Sequence, residues 1–299
     1  MINNYTLISN YRDNKQYRDS FIKLAGGVFG IDFEAWYHMG CWNDRYICHS
    51  LLYKDQIVAN VSVNLTDLII DGERIRAVQA GTVMAHPDHR GRGLINHLFE
   101  KVIEEYGVCS RFLYLFADKN VFDLYPRYGF KRIKESIFSY YPALSVTKEP
   151  LNQHRGVKKI DIDDPGDLAL LKNFTHDRKP VSQRLGVFND EHIVLFHCMN
   201  HLKKHIYYLE DEDLIIIFRY NGTTVKIFDI IGKSEISARE LIVKYFNSRA
   251  EKVLINFTPE ADWKEIESII NEDSELFINP PDYKICSGNG FVFPVTSQA

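Results

Sequence analysis

The sequence has few features that would place it outside the ordinary globular class. It contains no run of about 18 apolar residues, so no transmembrane helix is expected. Its N-terminus lacks the apolar core of a signal peptide. Its cysteines form no CxxC pair, which argues against a disulfide framework and a cysteine zinc site. We therefore expect a reducing, cytoplasmic location, with no membrane partner and no metal. The cysteines are Cys41, Cys48, Cys109, Cys198 and Cys286.

The chain also lacks a strong charge of either sign. A formal charge of -4 over 299 residues gives no general attraction to nucleic acid, whose binding domains usually carry a basic excess. Hydrophobic residues make up 45% and charged residues 25%, a balance that can bury a core. The length admits two domains.

What is present is an order of elements that occurs twice. Apolar periodicity, strand-forming composition and turn residues predict these elements. In the first half they are a helix over 17–40, strands at 46–53, 57–65 and 75–85, a helix over 93–106, a strand at 111–116, a short helix at 119–125, and strands at 129–133 and 136–141. In the second half they are strands at 207–209, 214–220 and 223–231, a helix over 236–246, a strand at 253–257, a helix over 260–270 and a strand at 291–295. Hairpin turns are expected at Asp71-Gly72 and Asn221-Gly222.

A glycine-rich turn between a strand and a helix is the first chemical signal. Gly91 and Gly93 lack a Cβ, so a phosphate can approach the backbone closely. Arg90 and Arg92 add charged donors, and the N-terminus of the following helix favours an anion. The turn predicts a pyrophosphate site. It is not a Walker A loop, because the Gly-Lys-Ser/Thr ending is absent.

This turn resembles the Arg/Gln-x-x-Gly-x-Gly/Ala signature of the GNAT N-acetyltransferase superfamily, with Ile95 in place of the last small residue. About 30 residues later, Asn120, Tyr125, Gly129 and Phe130 resemble the Asn-x(4)-Tyr-x-x-x-Gly-Phe segment of the same family. The residues 91–95 look closer to the Eis-like (enhanced intracellular survival) branch.

The resemblance implies an α/β (α+β) architecture, with a mixed central sheet flanked by helices. Residues 1–145 would form the GNAT domain with the acetyl-CoA site. Residues 146–158 are polar and are interpreted as a linker. Residues 159–299 would form a second, degenerate GNAT-like domain without a CoA loop. Relatives of the Eis-like branch also suggest a homo-oligomer.

The resemblance also assigns roles to individual residues. Tyr125 would be the general acid for the leaving thiolate, and a backbone N–H at the end of the fourth strand would stabilise the oxyanion. Asn120 would lie near the cofactor sulfur. The pantetheine arm would be held by Val83, Met84 and Ala85. The pyrophosphate would be bound by Arg90, Gly91, Arg92, Gly93, Leu94, Ile95 and Asn96.

The general base is left open by the sequence. Many family members carry a Glu on the fourth strand, where this chain has Gln79. His86, His49 and Asp118 are candidates. Some Eis-like members use their own terminal carboxylate, which a further sterol-carrier-like domain delivers. This sequence shows no such domain, so the resemblance does not predict that role here.

The function predicted in this way is acetyl-CoA-dependent N-acetylation of a primary amine. The acceptor would be a small molecule, similar to an aminoglycoside or a polyamine, and attack would occur directly in a ternary complex. The alternatives are a non-catalytic acyl-CoA-binding module and a transferase of a different acyl group. A packing role for Tyr125 also stays open.

Two other groups of residues are interpreted as structural. Core packing is favoured over an aromatic wall for a cationic amine at Trp36, Tyr37 and Trp42. A solvated helix face is favoured over a metal site at His197, His201 and His205.

Overall fold

The computed structural model describes residues 4–142, 151, 155–234, 236–280, 283–288 and 290–299. Within them the chain forms two mixed β-sheets with helices packed on them. The strands are β1 (Thr6–Ser9), β2 (Tyr46–Tyr53), β3 (Gln56–Ile70), β4 (Glu73–Ala85), β5 (Leu113–Phe116), β6 (Lys131–Arg132), β7 (Ser136–Tyr140), β8 (Val157–Lys159), β9 (Leu185–Phe188), β10 (Ile206–Leu209), β11 (Leu214–Asn221), β12 (Thr224–Gly232), β13 (Lys252–Ile255), β14 (Ile266–Ile270) and β15 (Leu276–Asn279). The helices are α1 (Lys15–Phe29), α2 (Phe33–His38), α3 (Leu94–Tyr106), α4 (Pro165–His176), α5 (Glu191–Asn200) and α6 (Ala238–Phe246).

The two sheets have the same plan. The first runs in the order β1-β2-β3-β4-β5-β15-β6, with β9 paired to the far end of β3. The second runs β14-β7-β13-β12-β11-β10-β8. Each sheet contains antiparallel hairpins and then one parallel pair, β4 with β5 and β12 with β13. A parallel pair needs a crossover, and α3 and α6 supply it. The predicted α/β class, with a mixed sheet flanked by helices in each half, is confirmed.

The two halves exchange strands. β7 follows the first sheet in the chain but lies between β14 and β13 in the second sheet. β15 comes near the end of the chain but lies between β5 and β6 in the first sheet. The sheets are therefore not divided at one point of the chain. The domain boundaries stay a prediction, and most of the predicted linker lies outside the described residues.

Several predicted elements are wrong in type or extent. The helix expected over 17–40 is two helices, because Gly30 has a φ of 69° and its N–H bonds to Gly26 O as α1 ends. The helix expected over 260–270 is instead β14, whose backbone groups pair with β7. The strand expected at 291–295 is absent, and a 3₁₀ turn spans Val295–Ser297. Short 3₁₀ turns also replace the helix expected at 119–125. The sequence predicts none of α4, α5, β1, β8, β9 and β15.

A bulge and a splay in the first sheet position the site. Asp71 and Gly72 form the expected hairpin turn between β3 and β4. Farther along, one β3 residue faces two β4 residues, and Thr82 takes a φ of 46°. Such a bulge re-aims the backbone locally. β4 and β5 pair only at Val78 with Leu113 and at Gln79 with Tyr114. Beyond these pairs the described strands make no ladder, so their ends diverge.

The predicted helix over 93–106 is confirmed as α3. It begins after Gly93 and ends before Gly107, and its apolar face packs against the first sheet. Among the described residues, no helix combines the length and the apolar character that crossing a bilayer requires.

Candidate active site

The diverging ends of β4 and β5 open into a cavity of about 700 Å³. Its volume lies within the range of small-molecule sites. The end of α1, the helix α2 and one face of α5 close the opposite side. From β4 the lining residues are Ala80, Gly81, Thr82, Val83, Met84 and Ala85. From the glycine loop and the β5 side they include Arg90, Ile95, Leu115, Phe116, Asp118, Val121, Leu124 and Tyr125.

The N-terminus of α3 is open beside this cavity. Gly93 is its N-cap, in the left-handed conformation with a φ of 77°, and no side chain caps the first turn. Gly91 has a φ of 71°, and no described atom lies within 4 Å of where a Cβ would stand on either glycine. Uncapped N–H groups at a helix N-terminus attract an anion. An acidic group therefore fits here.

The two loop arginines point in different directions. Arg90 lines the cavity, and its Nε donates to Ala85 O at 3.2 Å. Arg92 donates to Asp88 O at 2.8 Å and to the hydroxyl of Tyr5 at 3.3 Å. Arg90 therefore faces the cavity, whereas Arg92 holds the loop to the start of the chain.

The structure brings together about half of the residues predicted for the site. Val83, Met84, Ala85, Arg90, Ile95 and Tyr125 line the cavity. The others lie nearby without lining it. Leu94 is buried in the core, and Asn96 accepts a hydrogen bond from the hydroxyl of Tyr128. Asn120 is exposed and donates to Asp118, which itself lines the cavity.

Tyr125 and Tyr128 have different surroundings. Tyr125 is 5% exposed and lies against Phe99 and Phe277. Its hydroxyl makes no hydrogen bond to the described part of the chain, and burial raises its pKa to about 12. Tyr128 stacks on Phe99, and its hydroxyl donates a hydrogen bond to Asn96 Oδ1. The free phenol at the cavity is therefore that of Tyr125.

A buried polar network supports the bulge of β4. The amide of Asn60 donates to Thr82 O at 2.9 Å and to the hydroxyl of Ser62 at 2.9 Å. Ser62 donates to the hydroxyl of Tyr46, which lies 2.9 Å from the hydroxyl of Thr82. Because these buried groups are paired, Thr82 is held in its left-handed conformation.

Ala299, which sequence reasoning missed, lies in the cavity beside β4. Its N–H donates to the side-chain oxygen of Gln79. The amide nitrogen of Gln79 donates to Ser297 O at 2.8 Å. A Cβ on Gly81 would stand 3.3 Å from the carbonyl carbon of Ala299, so glycine allows this close approach. No local signal could have shown that residue 299 reaches residue 79.

The segment 296–299, called the tail below, is anchored from the second half of the chain. His197 Nε2 donates to Gln298 O at 2.6 Å. Arg178 donates to Ser297 Oγ at 3.0 Å while it binds two buried carboxylates, Asp190 at 2.7 Å and Asp229 at 2.6 Å. Buried charges persist when they are paired in this way. His197, expected on a solvated face, instead holds the tail.

Two of the three candidate bases lie away from the cavity lining. His49 is buried and bonds to the hydroxyl of Tyr106 at 3.1 Å. His86 accepts from Asp88 N and lines a separate cavity of about 580 Å³. Asp118 does line the main cavity, where it accepts the N–H of Asn120 at 2.8 Å.

Aromatic residues from both halves line the remaining side. Trp36 is 2% exposed and packs on Tyr46 with ring centroids 5.2 Å apart. It is therefore part of the core, and it also lines the cavity. Trp42 is buried, and Tyr37 lies under the guanidinium of Arg18 at 3.9 Å. Neither is part of the described cavity lining.

Residues 13–133 match the family described as Acetyltransferase (GNAT) domain. The chain carries a GNAT acetyltransferase domain. The match places an acyltransferase domain in the first half of the chain. The match spans the chain from α1 to β6 and includes the glycine loop and Tyr125. No curated protein matches the sequence.

Solved structures resemble the chain over most of its length. A probable N-acyltransferase from Enterococcus faecalis has a TM-score of 0.59 at 13% identity, covering 92% of this chain and 72% of that one. Eis1 from Mycobacterium abscessus has a TM-score of 0.55 at 13% identity, covering 91% and 72%. A GCN5-related N-acetyltransferase from Anabaena variabilis has a TM-score of 0.54 at 14% identity, covering 91% and 72%. At these identities the likeness shows the fold, which extends beyond the matched GNAT domain.

The crossover helix of the second half differs from that of the GNAT domain at its N-terminus. Ser237 caps α6, accepting the N–H of Glu240, and the carboxylate of Glu240 accepts the N–H of Ser237. This capping box satisfies donors that α3 leaves open. The carboxylate also places negative charge at this helix start. Binding of an anion at the start of α6 is therefore less favourable than at the start of α3.

Proposed function

We propose that the chain transfers the acetyl group of acetyl-CoA directly to a primary amine of a small molecule in a ternary complex. The observation that supports this proposal is the meeting of four features at one cavity. They are the bulged end of β4, the open N-terminus of α3, the phenol of Tyr125 and residue Ala299. The match to the GNAT domain supports the proposed reaction class, and the local geometry supports the proposed roles.

The residues present fit acetyl-CoA, which would supply an activated acyl group as its thioester. The uncapped start of α3 and the side chain of Arg90 would hold the pyrophosphate, together with the other loop residues up to Asn96. The backbone of Val83, Met84 and Ala85 would hold the pantetheine arm. A backbone N–H at this bulge can stabilise negative charge that develops on the acyl oxygen.

Tyr125 is the proposed acid. The sulfur must receive a proton as it departs, and a phenol with a pKa of about 12 keeps its proton at neutral pH. Its hydroxyl has no competing partner among the described residues. The apolar rings of Phe99 and Phe277 fix its direction.

Ala299 is the proposed base. An ammonium must lose a proton before its nitrogen can bond to the acyl carbon, and the terminal carboxylate of a chain that ends at Ala299 can take it. Gln79 supports this assignment. It stands where many family members carry a Glu, and here it binds the tail through both ends of its amide.

The experiment is a calorimetric titration of acetyl-CoA, followed by assays of thiol release with amines. We expect micromolar binding at one site per chain. The Arg90→Ala/Gly93→Val variant should bind at least about tenfold more weakly, since it loses a charged donor and the glycine conformation.

The matched control carries Lys233→Ala/Arg239→Ala around the start of α6 and should bind like the wild type. No binding of acetyl-CoA to the wild type would refute the proposal. Binding without turnover of any amine would favour a non-catalytic acyl-CoA-binding module. Faster turnover of a longer acyl-CoA would favour a different acyl group.

A further inference from the structure

Most of the residues that line the side of the cavity away from the glycine loop are apolar. We call this side the apolar wall, and its residues come from the end of α1, from α2 and its approach, and from α5. They are Phe29, Ile31, Phe33, Trp36, Ile193 and Phe196. The first four belong to the first half of the chain and the last two to the second, so both halves shape the acceptor side.

The apolar wall is firmly built. The ring of Phe33 packs on Trp36 at 5.7 Å and on Phe196 at 5.4 Å between centroids. The indole N–H of Trp36 donates to His192 O at 2.9 Å, which ties α2 to α5. At the rim, Phe29 is 44% exposed. An exposed aromatic ring beside a cavity favours an apolar ligand.

Charge is almost absent from this side. Among the described lining residues, the side chains charged at neutral pH are Arg90 and Asp118, which belong to the glycine loop and the β5 side. Burial lowers the pKa of His192 to about 4, so it is neutral. It donates to Asn64 Oδ1 at 3.0 Å, and the pair carries no net charge. If the protein ends at Ala299, the terminal carboxylate adds one negative group on this side.

One carboxylate beside an apolar surface matches one ammonium on an apolar body. A second ammonium placed against the apolar wall would lose its hydration without gaining a counter-charge, which is costly. Each methylene buried there would instead favour binding. A ring would gain further from edge and face contacts with the aromatic residues.

We infer that the acceptor is a monoamine with an alkyl or aryl body, rather than a polyamine or a polycationic aminoglycoside. This inference rests on the proposed function, because it concerns the amine that the proposed reaction consumes. It differs from the acceptor class predicted from the sequence. That prediction rested on the family resemblance and not on the lining of this cavity.

The test is a comparison of kcat/KM at one pH and ionic strength with acetyl-CoA. The panel contains n-propylamine, n-butylamine, n-pentylamine, 2-phenylethylamine, spermidine and kanamycin. We expect kcat/KM to rise about fourfold per methylene along the alkyl series. It should be at least about tenfold higher for 2-phenylethylamine than for spermidine or kanamycin.

A variant at the rim sharpens the test without disturbing the core. Phe29→Glu places a negative charge beside the wall and should reduce the preference for 2-phenylethylamine over spermidine at least about fivefold. The matched control is Val108→Glu. Val108 is 89% exposed and does not line the cavity, so its substitution should leave that preference unchanged.

The outcomes separate this inference from the proposal it rests on. Spermidine or kanamycin matching 2-phenylethylamine would overturn the inference while the transferase stands. A preference for octanoyl-CoA over acetyl-CoA would assign the wall to an acyl chain and would also overturn it. Acetyl-CoA binding without acetylation of any amine overturns it as well. Failure of acetyl-CoA to bind would instead refute the proposed function itself.

Discussion

The N–H of Ala299 donates to the side-chain oxygen of Gln79, across 220 positions of the chain. Gln79 is fully buried on β4, and its amide nitrogen also donates to the hydroxyl of Tyr114 at 3.1 Å. The amide therefore binds the tail through both its oxygen and its nitrogen, and the nitrogen also binds the sheet. A glutamate could not donate to Ser297 O as this amide does.

Loss of the Gln79 amide should release the tail and slow catalysis. We expect Gln79→Leu to lower kcat by about 10- to 100-fold, because it leaves the buried groups of Ser297 and Ala299 unpaired. The affinity for acetyl-CoA should change less than about twofold. Steady-state kinetics and calorimetry check this, with Gln56→Leu, an exposed glutamine, as control. Unchanged kcat in Gln79→Leu would contradict the role.

Displacing the carboxylate of Ala299 tests the base directly. Two glycines added after Ala299 should lower kcat at least about 100-fold, as expected for loss of general base catalysis. The same glycines added before Met1 serve as control. The intact mass of the unmodified protein checks whether it ends at Ala299. If the extended chain turns over normally, another group is the base.

Tyr125→Phe should lower kcat by about 100-fold with little change in acetyl-CoA binding, because only the proton donor is lost. Tyr128→Phe should have a smaller effect, since its hydroxyl serves Asn96. With a pKa of about 12, Tyr125 should cause no loss of wild-type activity up to pH 10. Kinetics between pH 6 and pH 10 check both statements. Equal effects of the two variants would reject Tyr125 as the acid.

Glu135 should make stability fall as pH rises. It is 5% exposed, and burial raises its pKa from 4.5 to about 7 although Phe293 N and Ser274 Oγ donate to it. The folded state therefore binds the proton more tightly than the unfolded state. The resulting stabilisation is full below about pH 4.5 and is lost as pH rises through about 7.

Denaturant unfolding at pH 5.5 and pH 8 measures this contribution. Glu135→Gln should reduce the difference between the two free energies of unfolding, whereas Glu275→Gln, a more exposed neighbour, should reduce it less. An unchanged difference in Glu135→Gln would show that other groups govern the pH dependence.

Arg178→Met should lower the free energy of unfolding by about 3–5 kcal/mol, because Asp190 and Asp229 would stay buried without their counter-ion. Urea unfolding at pH 7 measures this, with the exposed Arg111→Met as control. A loss below about 1 kcal/mol would show that the two acids find other partners.

Part of this candidate site could be predicted from local features of the sequence. The glycine loop, the helix after it and Tyr125 lie within 50 residues, and their roles depend on backbone conformation and spacing along the chain. Gly91 and Gly93 take the left-handed conformations that the loop requires. The period of Leu94, Leu98 and Val102 indicates a helix face whatever it packs against.

Other elements depend on partners that are distant in the chain. Residues 266–270 are apolar enough for a helix, but the open edge of β7 makes them a strand. β15 is too short to predict on its own, and it is stabilised between β5 and β6. Such ladders are decided by tertiary pairing, which outweighs local propensity.

By itself, then, the sequence determined the fold class, the glycine loop and the position of the proposed acid, because each depends on residues that are close together in the chain. Only the tertiary structure decided which groups face them. The strand exchange, the position of Ala299 at Gln79, and the apolar wall from α2 and α5 arise from contacts between residues far apart in the chain. Those contacts depend on the packing of two sheets, which local sequence patterns do not predict.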